Sequence, residues 1–284
     1  MSAIHPGSAV LAATSPDTPA RRRRPIPVVR LLLQWGSIAA CVLLWHWAST
    51  QHLNLRVVTF ANVPPPAEVL EAAWRLLPSP KLWPHLGSSL MRVGCGFGAA
   101  VLLGVGLGLL IGRLPWARLS LLPPLEVLRP IPAVAWIPLA ILMFPSSEVS
   151  MMFITFVGAL FPILLNTIHG VEAVDARLVA SARGLGTRGW RLFTEVIAPG
   201  AAPSIVTGLS IGMGTCWFCL VTAEMIAGQY GIGYYTWESY TVQAYPDIVV
   251  GMLVIGALGM GSSALIRQAG QRLMPWHRPQ GSTR

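Results

Sequence analysis

Apolar runs without a single Asp, Glu, Lys or Arg recur along the chain. They cover Leu31–Thr50, Val93–Gly112, Val149–Gly170, Pro199–Ala223 and Ile248–Ile266. A helix needs about 20 apolar residues to cross the hydrocarbon of a bilayer, so each run predicts one membrane span. A sixth candidate, Ile131–Phe144, is shorter and proline-rich. Pro123, Pro124, Pro130, Pro132 and Pro138 crowd its entry and body. Proline removes a backbone donor and bends a helix. Membrane helices tolerate this where neighbours or a cavity satisfy the freed carbonyls. This third span is therefore expected to be kinked, either as part of a gate or as an irregular segment buried in protein. The pattern predicts an all-α integral membrane protein with about six transmembrane helices.

Within the second run, glycines recur at four-residue spacing: Gly94 and Gly98, then Gly104, Gly108 and Gly112. Such a face lets helix backbones approach closely. The same residues contain Gly104-Val-Gly106-Leu-Gly108, which superficially resembles a nucleotide loop. A phosphate loop follows a strand and opens a helix in water, and neither context is present, so packing is the expected role.

Composition agrees with the spans. Hydrophobic residues make up 54% of the 284 residues and charged residues 11%, with mean hydropathy +0.60. A soluble domain carries about 25% charged residues, too many for this chain to resemble. The formal net charge is +9, but the cations lie between the apolar runs, which speaks against a nucleic-acid partner. Arg21–Arg24 and Arg30 precede the first span; Arg113, Arg118 and Arg129 lie between the second and third as drawn above. Arg177, Arg183, Arg188 and Arg191 follow the fourth, and Arg267, Arg272, Arg278 and Arg284 the sixth. The alternate loops keep only Arg56, Arg75, Lys81 and Arg92. By the positive-inside rule both termini are expected in the cytoplasm. All five tyrosines, Tyr230, Tyr234, Tyr235, Tyr240 and Tyr245, then fall with Trp237 in one outer loop. They predict an aromatic belt at the interface, a docking surface for an external partner, or both.

Residues 1–29 are rich in Pro, Ser, Ala and Arg and are expected to be a disordered cytoplasmic tail. The following apolar stretch ends in Trp45, His46 and Trp47, without a clear small-residue cleavage site, so an uncleaved first span is expected. Residues 30–272 are assigned to the membrane domain and 273–284 to a cytoplasmic tail. Cys41, Cys95, Cys216 and Cys219 all fall inside apolar runs. Cys216 and Cys219 form a C-x-x-C, yet in a membrane helix they are expected to be buried, inert thiols.

The connection Val171–Ala198 is long for a bundle loop. Asp175 can cap a helix through Arg177, Leu178, Val179 and Ala182. Gly184, Gly186 and Gly189 interrupt it, and Trp190, Leu192, Phe193, Val196 and Ile197 form a second apolar set. The expectation is helix, glycine elbow, helix, lying against the membrane. Periodicity alone leaves two roles open: a surface anchor or a docking element for a cytoplasmic subunit.

Here the sequence resembles a family. The loop is similar to the cytoplasmic loop of bacterial ABC importer permeases, whose pattern runs E-A-A, three residues, G, nine residues, I-x-L-P. The matching positions are Ala180-Ser181-Ala182, Gly186, Val196, Ala198 and Pro199. Ala180 replaces the glutamate and Ala198 the leucine. Leu128-Arg129-Pro130-Ile131-Pro132, Ala135-Trp136 and Pro138-Leu139 resemble the third span of the subfamily importing nitrate, taurine and aliphatic sulfonates. Phe161-Pro162-Ile163, Asn166-Thr167 and Gly170 resemble its fourth span. Ala223-Glu224-Met225-Ile226 and Gly231-Ile232-Gly233-Tyr234 resemble its fifth span and following loop, and Arg272-Leu273-Met274-Pro275-Trp276-His277 the tail of taurine permeases. Pro145-Ser146-Ser147 departs from the family's glycine-containing turn.

The resemblance implies a type I (MetI-like) permease of a bacterial inner membrane, without covalent chemistry, cofactor or metal of its own. ATP and Mg would be used by two cytoplasmic ATP-binding subunits. A second permease copy, in a homodimer, would complete the pathway, and a periplasmic or lipid-anchored solute-binding protein would deliver the cargo. The cargo expected is a sulfonate, taurine or nitrate-type anion, with vitamin or pyrimidine precursors as the alternative. The loop residues expected to couple to the ATPase are Asp175, Ala180, Ser181, Ala182, Arg183, Gly186, Trp190, Val196 and Pro199. Arg129, Pro132, Trp136 and Glu224 are the pathway or gating candidates. Glu224 needs a partner at its depth, and Arg129 is one candidate. An ion-coupled transporter would place ionisable residues in mid-span and often carry an inverted repeat; the runs are nearly free of charge and no convincing repeat stands out. A membrane enzyme would need a cluster of acids and histidines, whereas His46, His85 and His169 are scattered.

Overall fold

The computed structural model describes residues 27–276. Of the predicted N-terminal tail, residues 1–29, the first 26 lie outside that range, as do the last eight residues of the chain; residues 27–29 belong to the first helix. Among the described residues the chain is helical and has no β-sheet; a lone bridge joins Asn54 and Thr59. The helices are α1 (Pro27–Thr50), α2 (Pro66–Leu76), α3 (Leu82–Arg113), α4 (Pro115–Leu128), α5 (Ile137–Met143) and α6 (Ser147–Glu172). Then follow α7 (Ala176–Gly184), α8 (Gly189–Leu192), α9 (Ala198–Ala227), α10 (Ile232–Thr241) and α11 (Tyr245–Leu273).

The centre of the bundle is α3, α6 and α9, and small residues set its register. A Cβ built on Gly96 would lie 2.8 Å from Thr155 Cβ; on Gly104, 2.9 Å from Ile163 Cγ2; on Gly108, 2.6 Å from Thr167 Cβ; on Gly112, 2.8 Å from Val171 Cβ. The partner advances in step with the glycine, so α3 and α6 run parallel. Between α6 and α9 the order reverses. Gly158 meets Cys219, Gly212 meets Ile163, Gly208 meets Asn166 and Gly170 meets Ser204, which makes that pair antiparallel. The expected glycine face is thus present, with a correction: Gly94 and Gly98 face open space and Gly96 makes the contact. The stripe runs Arg92, Gly96, Ala100, Gly104, Gly108, Gly112, one residue per helical turn. Cys216 and Cys219 are buried, unpaired by any disulfide, and pack in this core.

Two boundaries among the first three spans differ from the sequence expectation. The second span begins at Leu82, well before Val93, because one buried ionic group is carried inside the bundle. The third begins at Pro115 and consists of α4, a break at Arg129–Pro132, a 3-10 turn (Ala133–Trp136) and α5, with an 82° bend. Five helices are long and apolar enough to span a membrane, and the bent pair makes six.

The course of the bent pair is fixed by its contacts along α6. Arg118 pairs with Glu172. Leu121, Leu122 and Leu125 pack on Leu164 and Ile168. The break shares a pocket with Val157, Gly158 and Phe161. Ser150 Oγ donates to the Ala140 carbonyl at 3.1 Å. The pair therefore traverses the whole of α6 in the antiparallel sense, so it is one broken span. Pro130 and Pro132 lack the N–H groups that would continue α4, which explains the break.

Candidate functional site

Three regions gather the chemistry. The first is the elbow. Asp175 Oδ1 accepts from Arg177 N at 2.8 Å and caps α7, as the sequence suggests. The helix ends in a Schellman motif: Thr187 N donates to Ala182 O and Gly186 N to Arg183 O, both at 3.0 Å. Gly186 occupies the left-handed position, at φ +85°, and Gly189 follows at +60°. Only glycine takes such angles without steric cost.

Asp175, Ala180, Ser181, Arg183, Gly186 and Trp190 are exposed, while Ala182, Val196 and Pro199 are half-buried. Leu178, Leu185 and Trp190 leave apolar surface uncovered; Leu185 is 88% exposed. The elbow is tied to the bundle by Arg113, whose Nη2 donates to Gly189 O at 2.9 Å and whose guanidinium lies 4.9 Å from the Phe193 ring. The second half of the elbow differs from expectation. After α8 the chain makes a π-helical turn (Phe193–Ile197) and runs directly into α9, so it extends the fifth span instead of lying apart from it. The turn precedes Pro199, which has no N–H to give to a regular helix.

The second region is the break in the third span. Arg129 was expected at the cytoplasmic surface. Its neighbours Val157, Gly158 and Phe161 lie midway along α6, so it sits near the middle of the bundle's height. Arg129, Pro132, Val134, Phe161, Thr215 and Phe218 line a partly open pocket of about 290 Å³. An arginine at the centre of a bilayer costs at least about 2.5–3.5 kcal/mol without a partner or water. Among the described residues no acid pairs with it. Trp136 is half-buried in the same break, and its indole N–H is buried without a hydrogen-bond partner.

The third region lies at the opposite end of the bundle from the elbow, beside the tyrosines. Glu224 is fully buried, and its partner is Arg92. Arg129 is set apart from it: Cys219 and Thr215, which line the Arg129 pocket, precede Glu224 on α9 by five and nine residues, about 7–14 Å at the helical rise. Arg92 is fully buried too, although the sequence placed it in an outer loop. Its Nη1 donates to Glu224 Oε1 at 2.8 Å and to Tyr230 O at 2.7 Å. Its Nε and Nη2 hold the two oxygens of Glu148 at 2.8 and 2.5 Å. Bidentate pairs of this kind are the strong ones.

Two carboxylates share one guanidinium, and the surplus negative charge is met by donors at the start of α10. Gly233 N donates to Glu224 Oε2 at 2.9 Å. Ser89 Oγ donates to Glu224 Oε1 at 2.7 Å and accepts from Ile232 N at 2.9 Å. His85 Nδ1 accepts from Gly231 N at 3.0 Å, so that nitrogen carries no proton. Three successive amides of a helix N-terminus, an end that favours negative charge, are thus all satisfied. Gly231 has φ +128°, and a side chain there would collide with the Glu224 carboxyl. The separate motifs around Glu224 and Gly231 form one clamp joining α3, α6, α9 and α10.

Arg92, Ser89, His85 and Glu148 escaped the sequence reading as site residues. The usable signal was the position of Arg92 in the four-residue glycine stripe. A charge on that face cannot reach lipid or bulk water without abandoning the helix contact.

Comparison with known proteins gives a consistent picture. The family described as binding-protein-dependent transport system inner membrane component matches residues 100–275. The nitrate import permease protein NrtB of Synechocystis sp. is 34% identical over 209 residues, covering 70% of this chain and 76% of its own. The taurine transport system permease protein TauC of Escherichia coli is 31% identical over 253 residues, covering 87% and 90%. A Bacillus subtilis protein, SsuC, whose name assigns it to aliphatic sulfonates, is 33% identical over 227 residues, covering 78% and 81%.

Proposed function

Because the chain belongs to the binding-protein-dependent inner membrane components, and is the permease subunit of an ABC importer, we propose the following assembly and cargo. Two copies of the chain form the pathway. Each presents its elbow to one of two ATP-binding subunits, which supply the ATPase site and use ATP and Mg. The elbow end and both termini face the cytoplasm; the tyrosine end faces the solute-binding protein. The cargo is a small anion or zwitterion with an oxyanion head, the chemistry shared by the nitrate, taurine and aliphatic-sulfonate names of the relatives.

Membership in the family implies an ATPase and a binding protein as partners. The observation that carries the coupling role is the exposed apolar face of Leu178, Leu185 and Trp190 beside the Gly186 turn. An apolar patch of this kind marks a protein or membrane contact. Arg113 provides a route from that patch into the bundle, because it joins the elbow to α3.

The glycine turn gives the test. A Cβ at Gly186 meets no neighbouring atom within 4 Å, but Gly186→Val puts a β-branched residue in the left-handed region, at a cost of about 1–2 kcal/mol. The elbow reshapes while the bundle stays folded. The expected result is at least a tenfold loss of ATP-driven uptake, with the ATPase released or its hydrolysis uncoupled. Normal copurification and uptake would reject the assignment.

A further inference from the structure

The mid-membrane arginine is left without a role by the clamp and by the elbow. We propose that Arg129 is a cargo-contact residue: the break in the third span presents its guanidinium to the passing oxyanion near the middle of the membrane. This rests on the reading of the cargo as a small oxyanion.

Four observations converge on it. The contacts of α4 and α5 along α6 place the break at Val157–Phe161, away from both ends of the bundle. Irregular backbone at that depth persists only where protein buries it or where it lines a wet cavity, and here it lines a pocket of about 290 Å³. Arg129 is exposed and has no acidic partner among the described residues. Glu126, one turn earlier on α4, makes no ion pair with it, and Glu148 and Glu224 are both engaged by Arg92. The break also holds a second unsatisfied donor, the indole N–H of Trp136.

The chemistry fits an oxyanion. A guanidinium offers several N–H donors in a planar fork that matches nitrate or sulfonate oxygens. The pocket walls include Phe161, Phe218 and Val157, so the local dielectric is low and the attraction is stronger than in water. The carboxylate of Glu224 does not oppose the cargo there. It lies toward the tyrosine end and is compensated by Arg92, Ser89 and Gly233.

The experiment uses the complete transporter, with its ATPase and binding protein, in proteoliposomes, and nitrate, taurine and ethanesulfonate as probes. For whichever probe the parent imports, Arg129→Gln is expected to reduce uptake at least tenfold, with assembly and basal ATP hydrolysis within twofold of the parent. Arg129→Lys should keep more than a third of the uptake, and Glu126→Gln should transport like the parent. In a chain whose four native cysteines are replaced, Arg129→Cys should regain uptake on 2-aminoethyl methanethiosulfonate, which restores a positive charge. The 2-sulfonatoethyl reagent should give no recovery.

Parent-like uptake by Arg129→Gln overturns the proposal while leaving the anion reading intact. An equal loss in Glu126→Gln shows a structural pair and overturns it as well. If Arg129→Gln fails to assemble, the thiol arm decides, and equal response to both reagents overturns the proposal. A parent that moves none of the three probes overturns the anion reading and this inference with it.

Discussion

The two ends of the bundle are held together in opposite ways. At the tyrosine end, Arg92, Glu224 and Ser89 are completely buried, and their hydrogen bonds join three spanning helices to the start of α10. At the elbow end the contacts are few and exposed or half-buried. Arg113 reaches one carbonyl and one ring, and Arg118 pairs with Glu172 at the surface. A buried ionic network is costly to rearrange, because each charge freed from its partner remains in low dielectric. Exposed pairs exchange with water at little cost. The clamp therefore makes the tyrosine end one rigid body within a single copy. The elbow keeps an apolar face and a loose attachment, as expected of a surface completed by another subunit. α3 connects the two, from Arg92 to Arg113.

Removing Arg92 is the severest challenge to this contrast. Arg92→Met leaves Glu148 and Glu224 without their cation, and loss of one partner from a buried pair costs about 3–5 kcal/mol. The unfolding midpoint of the purified protein should fall sharply, or the variant should fail to accumulate. Parent-like stability would mean that the tyrosine end is not locked by charge.

A smaller loss is expected from Glu224→Gln. The amide keeps an acceptor for Gly233 N or Ser89 but loses the charge facing Arg92, a cost of about 1–3 kcal/mol. Glu224→Ala should be worse, since it leaves the Gly233 amide and Arg92 with no acceptor at that site. Thermal unfolding of the two variants side by side checks the order, and the reverse order would show that size and not hydrogen bonding decides.

Arg113→Gln tests the weaker end. The bond to Gly189 O is exposed and the ion–ring contact joins two half-buried groups, so stability should change by about 1 kcal/mol. Uptake should nonetheless fall several-fold if α3 carries motion from the elbow, which separates a coupling role from a structural one. At the bottom of the scale is Arg191→Ala. Its contact with Glu195 is a 3.9 Å exposed pair one turn apart, worth about 0.3–0.5 kcal/mol. A measurable collapse of stability there would contradict the picture of a loosely held end.

Spans, elbow and family were legible in the sequence because each is a local pattern. A run of apolar residues predicts a membrane helix whatever surrounds it, and Asp175 and Gly186 specify a cap and a turn through their own backbone chemistry. The glycine spacing of α3 also announced a close helix contact. Its register is not local, since Gly94, Gly96 and Gly98 all satisfy a small-residue pattern and only the partner helix selects Gly96.

The functional geometry needed the tertiary structure. Arg92 and Arg129 each fall next to an apolar run, so in sequence both look like loop cations. Helix packing separates them: one is drawn to the centre of an ionic clamp, and the other is carried to mid-membrane by a span whose first half reads as a loop in sequence. The depth of a charge depends on where the neighbouring helices pass. Hydrophobic patterning alone fixes that only when a span is continuous, and Pro130 and Pro132 break this one at the residue whose depth matters most.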